Sequence, residues 1–426
     1  MKFNYFINDV PPLNVIILNG LQWFILLIPI IIIVGKTIGI SFSLDPTEEV
    51  LYIQKLSFVV SLSLLLQVFF GHSLPIVSGP PTVLLVGIIA SLSYSKSSIY
   101  TALLIGSFFV CIFGLLDITK KIVTLFTRNI ISVVLILIAF TMLPTILKLI
   151  LSPIGLQPVF NIVIALLLII ILFFFEKNLK GFWKSSLIIW VLLIGTIIYC
   201  LIFGSTNEYN SVNSTAFFSN YFTDFSPTIN IDVGLILTFL ICYIALIIND
   251  VGSMQSTAHF VGIDSDWKRI KRGIFVTGFS NIIASIMGTI GVVNFSFSPG
   301  VLLITKCASK FVLLFTALLL FILSFSPYLL GFISVIPHFL IGTIFFYVMA
   351  SQISAGLSML YSHGEFKYND GIIVGFSIML GTMITNLPGH VMSNFPGFLK
   401  PFLGNGFVMG ILAAFILEHL IYKKNN

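Results

Sequence analysis

The chain has 426 residues, of which 58% are hydrophobic and 8% charged, with a formal net charge of +6 and a mean hydropathy of +1.12. That composition excludes a water-soluble globular domain: apolar runs of the length that crosses about 30 Å of hydrocarbon recur from end to end. The basic excess reads as membrane-flanking loops rather than a nucleic-acid partner. Gly-rich phosphate loops and nucleophile–base pairs are missing from the sequence, so an enzyme has no support.

In chain order, the first span is Asn14–Val34, too long for the apolar region of a signal peptide. An acidic loop with Asp45, Glu48 and Glu49 leads to Leu51–Phe70. Leu74–Ala90 carries Pro and Gly in its first turns, and Ile99–Leu116 is the fourth span. Lys120, Lys121 and Arg128 precede Asn129–Leu149; Phe160–Phe175 is the sixth span; Lys177, Lys180 and Lys184 lead into the seventh, Ser185–Phe203. A polar loop from Gly204 to Thr228 has no Lys or Arg. The pattern then restarts with Ile229–Ile248, the basic loop Lys268 to Arg272, Gly273–Met287 and a short run Gly300–Thr305. Phe311–Phe325, Phe339–Ala350, Gly371–Ile384 and Phe402–Tyr422 complete about fourteen segments.

The basic loops all fall on one side if the N-terminus is cytoplasmic, which puts Lys423 and Lys424 at a cytoplasmic C-terminus in a multi-pass protein of the cell membrane. Seven segments per half place the halves in opposite orientation, as an inverted repeat requires. The expected division is residues 1–205, a linker at 206–228 and residues 229–426. The fold class is therefore an all-α polytopic membrane protein with two short half-helices and strand breaks at mid-membrane.

Two interruptions attract attention. In the second half Ile229–Ile248 is expected to stop at Asn249-Asp250-Val251-Gly252-Ser253, and Asn294-Phe295-Ser296-Phe297-Ser298-Pro299-Gly300 opens a short helix. In the first half Gly71-His72-Ser73-Leu74-Pro75 through Gly79-Pro80-Pro81-Thr82 is the counterpart. Polar and helix-breaking residues at membrane depth are tolerated where they line a cavity or lie buried in protein, and matched interruptions mark a transporter's binding site. Of fifteen carboxylates, Asp250 alone is expected at depth; the others are placed in loops or at span ends. The competing reading of Asp250 is a helix cap or an ion pair with a lysine such as Lys306. Pro299-Gly300 suits a first helical turn with Ser298 as its cap, presenting free N–H groups to a small planar ligand. Phe297 is positioned to stack on a ring. His72, His259 and His338 near span ends read as structural, and Cys111, Cys200, Cys242 and Cys307 as buried free thiols without metal-ligand spacing.

Over nearly its whole length the sequence resembles the nucleobase–ascorbate transporter family of xanthine/uracil permeases. Gly20-Leu21-Gln22 resembles the family's Gly-Leu-Gln-His, and Gln67 to Thr82 its Gln, Gly, Leu-Pro, Gly-Ser-Ser-Phe pattern. Asn249 to Ser253 falls on Glu-x-Ile-Gly-Asp/His, and Ser298-Pro299-Gly300 through Thr305-Lys306 on the Asn-x-Gly, four residues, Thr-Arg/Lys signature. Ser334-Val335-Ile336-Pro337 and Asn369 to Gly381 match later stretches. Four positions depart from the pattern: Asn249 stands for the family's Glu, Phe297 and Ser298 for its Glu/Gln-Asn, and Thr82 for its Phe.

The resemblance implies a core domain of segments one to four and eight to eleven, and a gate domain of segments five to seven and twelve to fourteen. It implies secondary active transport of a nucleobase such as uracil or xanthine, or a related planar solute, coupled to H⁺ or Na⁺, of which H⁺ is the expected ion. No cofactor, metal or nucleic acid is implied; membrane lipid and a homodimer through the gate are. The expected binding residues are Asn249, Asp250, Ser253, Phe297, Ser298, Gly300 and Thr82, with Asp250 also coupling. Two alternatives stand beside this. Sulfate-like anion permeases resemble the same architecture and bind between half-helix N-termini, which the lost Glu residues favour. A non-transporting membrane protein on the same fold is the other.

Overall fold

A computed structural model describes residues 3–116, 125, 127–151, 158–179, 183, 187–203, 229–263, 266–295, 298–334, 336–361, 366–388, 391 and 400–422. The expected loop positions Lys120, Lys121, Lys180, Lys184, Lys423 and Lys424, the linker 206–228, and Phe297 lie outside them. The first half runs α1 Leu13–Ser41, α2 Pro46–Phe69, strand β1 Ser78–Gly79, short α3 Thr82–Ala90, α4 Lys96–Leu115, α5 Arg128–Ile150, α6 Pro158–Asn178 and α7 Leu187–Phe203. The second repeats that order: α8 Val233–Val261, α9 Trp267–Ile286, strand β2 Val293–Asn294, short α10 Ser298–Thr305, α11 Val312–Ser324, α12 Pro327–Ser334, α13 His338–Tyr361, α14 Tyr368–Thr385, α15 Lys400–Leu403 and α16 Gly406–Ile416, extended by one π turn, Leu417–Ile421. Among the described residues, and setting aside the short α12 and α15, each half holds seven segments, the third being a strand followed by a half-helix. Among the described residues seven helices are long and apolar enough to cross a membrane by themselves.

Local chemistry explains the helix ends. Asp45 caps α2 by accepting from Glu48 N–H at 2.8 Å, and Pro46 occupies the first helical position. The Thr47 hydroxyl and that N–H hold the Asp45 carboxyl below its ordinary range. Asp232 caps α8, which ends at Gly262 in the left-handed conformation, φ 77°. At 29 residues α8 is about 44 Å long. It does not stop at Ile248 as expected. The polar stretch Asn249 to Thr257 continues the helix, because Asp250, Ser253 and Thr257 are buried against other helices rather than facing lipid. Segment nine also starts earlier than expected, at Trp267, behind the Asp266 cap.

The interruptions lie one element further on. Pro80 and Pro81 exclude a helix until Thr82, so α3 has 9 residues, and α10 has 8; neither exceeds roughly 14 Å, less than half the hydrocarbon thickness. Their strands cross at the centre and pair antiparallel, Ser78 with Asn294 and Gly79 with Val293. Backbone groups that a broken helix leaves open are thereby satisfied inside the protein.

The helices sort into two packing groups. In one, α4 lies along α9, α2 along α11, and α1, α3 and α8 complete the layer around the strands. In the other, α5 lies along α13 and α14 along α16, with α6 outside. The α4–α9 pair is close because Gly114 and Gly278 face backbone: a Cβ on Gly278 would stand 2.6 Å from the Cys111 nitrogen, and one on Gly114 2.6 Å from that of Phe275. Gly278→Val is expected to destabilise by about 1–3 kcal/mol, read as a lower Tm in detergent. An unchanged Tm would mean that the pair is looser than this.

Burial of carboxylates is not confined to Asp250: Glu49 and Asp370, at span ends in the first turns of their helices, are buried as well. Glu49 is buried in α2 with its carboxylate 3.1 Å from Lys36 Nζ, against Gly39 and 4.0 Å from His338 Nε2. Asp370 is buried in α14, 3.1 Å from Arg128 and 2.9 Å from Asn129 Nδ2, which also donates to Glu418. Glu49 and Asp370 each have a cation brought from a segment distant along the chain or across a loop.

Candidate substrate cavity

Where the strands cross, alternation along β2 sends successive side chains to opposite sides. Val293 and Phe295 line a cavity of about 430 Å3, and Asn294 points away from it. The cavity is bounded by Pro81 and Thr82 at the start of α3, by α1 through Pro29, by Leu246 and Asn249 of α8, and on the opposite side by residues of α5, α7 and α13. It therefore lies between the two packing groups. Its size is within the about 300–1,000 Å3 of small-molecule sites. Among the described residues the lining is apolar except for Thr82, Asn249 and Gln352, and none of them is charged.

Gly79 is part of its geometry. A Cβ there would collide with the Phe295 ring, so the absent side chain lets the ring lie over the crossing and form the wall.

Behind that wall is a buried polar network. Asp250 has no exposure. Its carboxylate accepts from the Thr277 hydroxyl at 2.8 Å and from the Asn294 N–H at 3.1 Å. Gln67 donates to Thr277 Oγ1 and to the Gly273 carbonyl, both at 3.0 Å. Asn294 Oδ1 accepts from Ser78 at 2.8 Å and faces His72 Nε2 at 3.3 Å. His72 Nδ1 accepts from Leu74 N–H at 2.9 Å, which leaves Nε2 as the protonated nitrogen of the neutral ring, donating to Asn294. Ser253 Oγ lies 2.7 and 2.9 Å from the carbonyls of Asn249 and Asn294. Arg269 closes the network at its outer end by donating to the His72 carbonyl at 3.1 Å.

The expected binding residues thus fall into distinct places. Thr82 and Asn249 border the cavity. Asp250 is one residue on, about 100° round the helix, and is turned into the network with Ser253. It is not paired with Lys306, which is exposed. Ser298 is the first residue of α10, and its hydroxyl donates to the Phe295 carbonyl at 2.8 Å and accepts from Val77 N–H at 3.3 Å, pinning one interrupted segment to the other. Gly300 lies in the first turn of α10. Among the lining residues that sequence reading missed are Phe295, Pro29 and Gln352. Phe295 was findable had 293–295 been read as a strand with period two; nothing near Gln352 in the sequence singles it out.

Two repeats in opposite sense, each broken by a strand and half-helix at a cavity, define a multi-pass membrane protein of the seven-plus-seven inverted-repeat transporter fold. Its transmembrane arrangement is similar to the transmembrane domain of a cyanobacterial bicarbonate transporter, BicA, with a TM-score of 0.62, 16% identity, and coverage of 89% of this chain and 98% of that one. The Permease family of xanthine/uracil type matches residues 14–390, and the chain belongs to that family. It is similar to the nucleobase transporter PlUacP of Paenibacillus larvae, 23% identical over 91% of this chain and 90% of the relative. It is also similar to the xanthine permease of Bacillus subtilis, 23% identical over 92% and 89%.

Proposed function

We propose that the protein is a secondary active permease for a nucleobase such as uracil or xanthine, driven by H⁺. One observation carries this reading: a cavity at the strand crossing, without a charged lining residue among the described residues and bordered by Asn249, Thr82 and the Phe295 ring. A carboxamide offers both a donor and an acceptor, the pattern of a lactam edge, while an aromatic wall suits a flat ring. The relatives' names point the same way. An anion carrier is the second reading: the BicA likeness favours it, and with no cationic lining residue among the described residues the half-helix N-termini would have to hold the anion.

In this reading the group with α1–α4 and α8–α11 is the core and the group with α5–α7, α13, α14 and α16 the gate. Transport alternates the access of the cavity between them. Asp250 is the coupling residue. It is buried with neutral donors and, among the described residues, has no cation within ion-pair distance. A proton taken up there acts on the Asn294 N–H bond, hence on β2 and the Phe295 wall. Both termini are cytoplasmic, in the cell membrane, and the gate supplies a dimer contact.

The test is uptake of radiolabelled uracil, xanthine, sulfate and bicarbonate into proteoliposomes, with and without an inward proton gradient. Saturable nucleobase uptake that the gradient accelerates is the expected outcome. Anion uptake with no nucleobase uptake would replace this reading with the anion carrier, and uptake of neither would leave a non-transporting protein.

A further inference from the structure

Asn249 is not the only carboxamide at the cavity. Gln352 stands on α13, in the opposite packing group, and lines the same cavity with Val348 and Ala355, its neighbours on one helix face. Neither carboxamide group has a hydrogen-bond partner among the described residues, and both residues are half-buried. Two other polar side chains on this helix are satisfied locally: the Thr343 and Ser351 hydroxyls donate to carbonyls one turn back, at 2.9 and 3.1 Å. A half-buried amide left open beside apolar walls is a group waiting for a ligand or water.

We propose that Gln352 is a substrate-binding and specificity-determining residue. Its carboxamide reads one edge of a neutral, planar, amide-bearing ring whose other edge is held by Asn249. The inference rests on the nucleobase reading above and adds a second recognition point, on the side that moves against the first. Two carboxamides can each give a donor–acceptor pair, so the fitting ligand carries such pairs on two separated edges, as an oxopurine or a pyrimidine dione does. Because α13 and α8 belong to different packing groups, a ligand that satisfies both draws them together, and one that satisfies only one does not. Binding and closure would thereby select the same ring.

The experiment uses the full-length protein in nanodiscs and measures Kd for uracil, xanthine and hypoxanthine by equilibrium binding. In wild type at least one base is expected to bind saturably. Gln352→Leu is expected to weaken that base on the order of tenfold and to narrow the discrimination between xanthine and hypoxanthine, which lacks one carbonyl. Gln352→Asn keeps the carboxamide on a shorter stem and is expected to fall between. A purely structural role would alter affinity for all bases alike and leave their ratio unchanged. An independent reading on the wild-type protein uses xanthines methylated singly at each ring nitrogen, and binding is expected to be lost at positions on two different edges. Loss confined to one edge, or a Gln352→Leu variant with wild-type Kd and selectivity, would overturn the proposal while leaving the nucleobase reading intact. Failure of wild type to bind any base would overturn both.

Discussion

Glu49→Gln, in full-length protein, is expected to lose about 3–5 kcal/mol of stability, and Lys36→Met a similar amount. The pair is buried: the side chains are 1% and 9% exposed and 3.1 Å apart. Either single change removes the nearest opposite charge from a buried ionised group, so its desolvation cost is offset far less. The double variant Lys36→Met, Glu49→Leu removes both charges and replaces them with apolar groups of similar bulk, so it is expected to return to near wild-type stability. His338 is the lesser partner at 4.0 Å. Because it opens α13, loss of Glu49 also loosens one contact between α2 and the opposite packing group. Thermal unfolding of the four proteins in one detergent checks this. Single variants within about 1 kcal/mol of wild type would place the pair in the class of solvated surface bridges.

The second large effect is on transport. Asp250→Asn is expected to reduce proton-driven nucleobase uptake by about tenfold or more, equivalent to at least about 1.4 kcal/mol, while substrate exchange without a gradient persists. The substitution keeps the shape but not the hydrogen-bond balance. Asp250 accepts from both Thr277 and Asn294, and Asn has one acceptor oxygen for two donors, so one buried donor is left open at about 1–3 kcal/mol. Thr277→Val is the control: it removes one donor and leaves the carboxyl. It is expected to keep gradient-driven uptake, although with a lower Tm. If Asp250→Asn transports with an undiminished gradient response, Asp250 serves only to anchor β2.

Much was legible before any coordinates. Composition alone required a membrane protein, since an 8% charged chain has too little polar surface to face water. The spacing of apolar runs and prolines determined fourteen segments in two halves and located one interruption at Pro80-Pro81, because proline cannot donate within a helix. The motif spacing carried the family resemblance. Other features depended on three dimensions. The polar run after Ile248 looks like a break in one dimension, yet it continues α8, because neighbouring helices bury its polar face. Whether Asn249 or Asp250 meets the cavity is a matter of 100° about that helix, and the pairing of Asp250 with Thr277 and Asn294 joins residues 27 and 44 positions away. Glu49 reads as a loop acid until Lys36 is seen beside it. Gln352 is one glutamine in an apolar helix until the opposite packing group closes the cavity over it. Periodicity and composition act along the chain and can be read there; which side chains share a cavity follows from the crossing of segments hundreds of residues apart, and only the packed structure decides it.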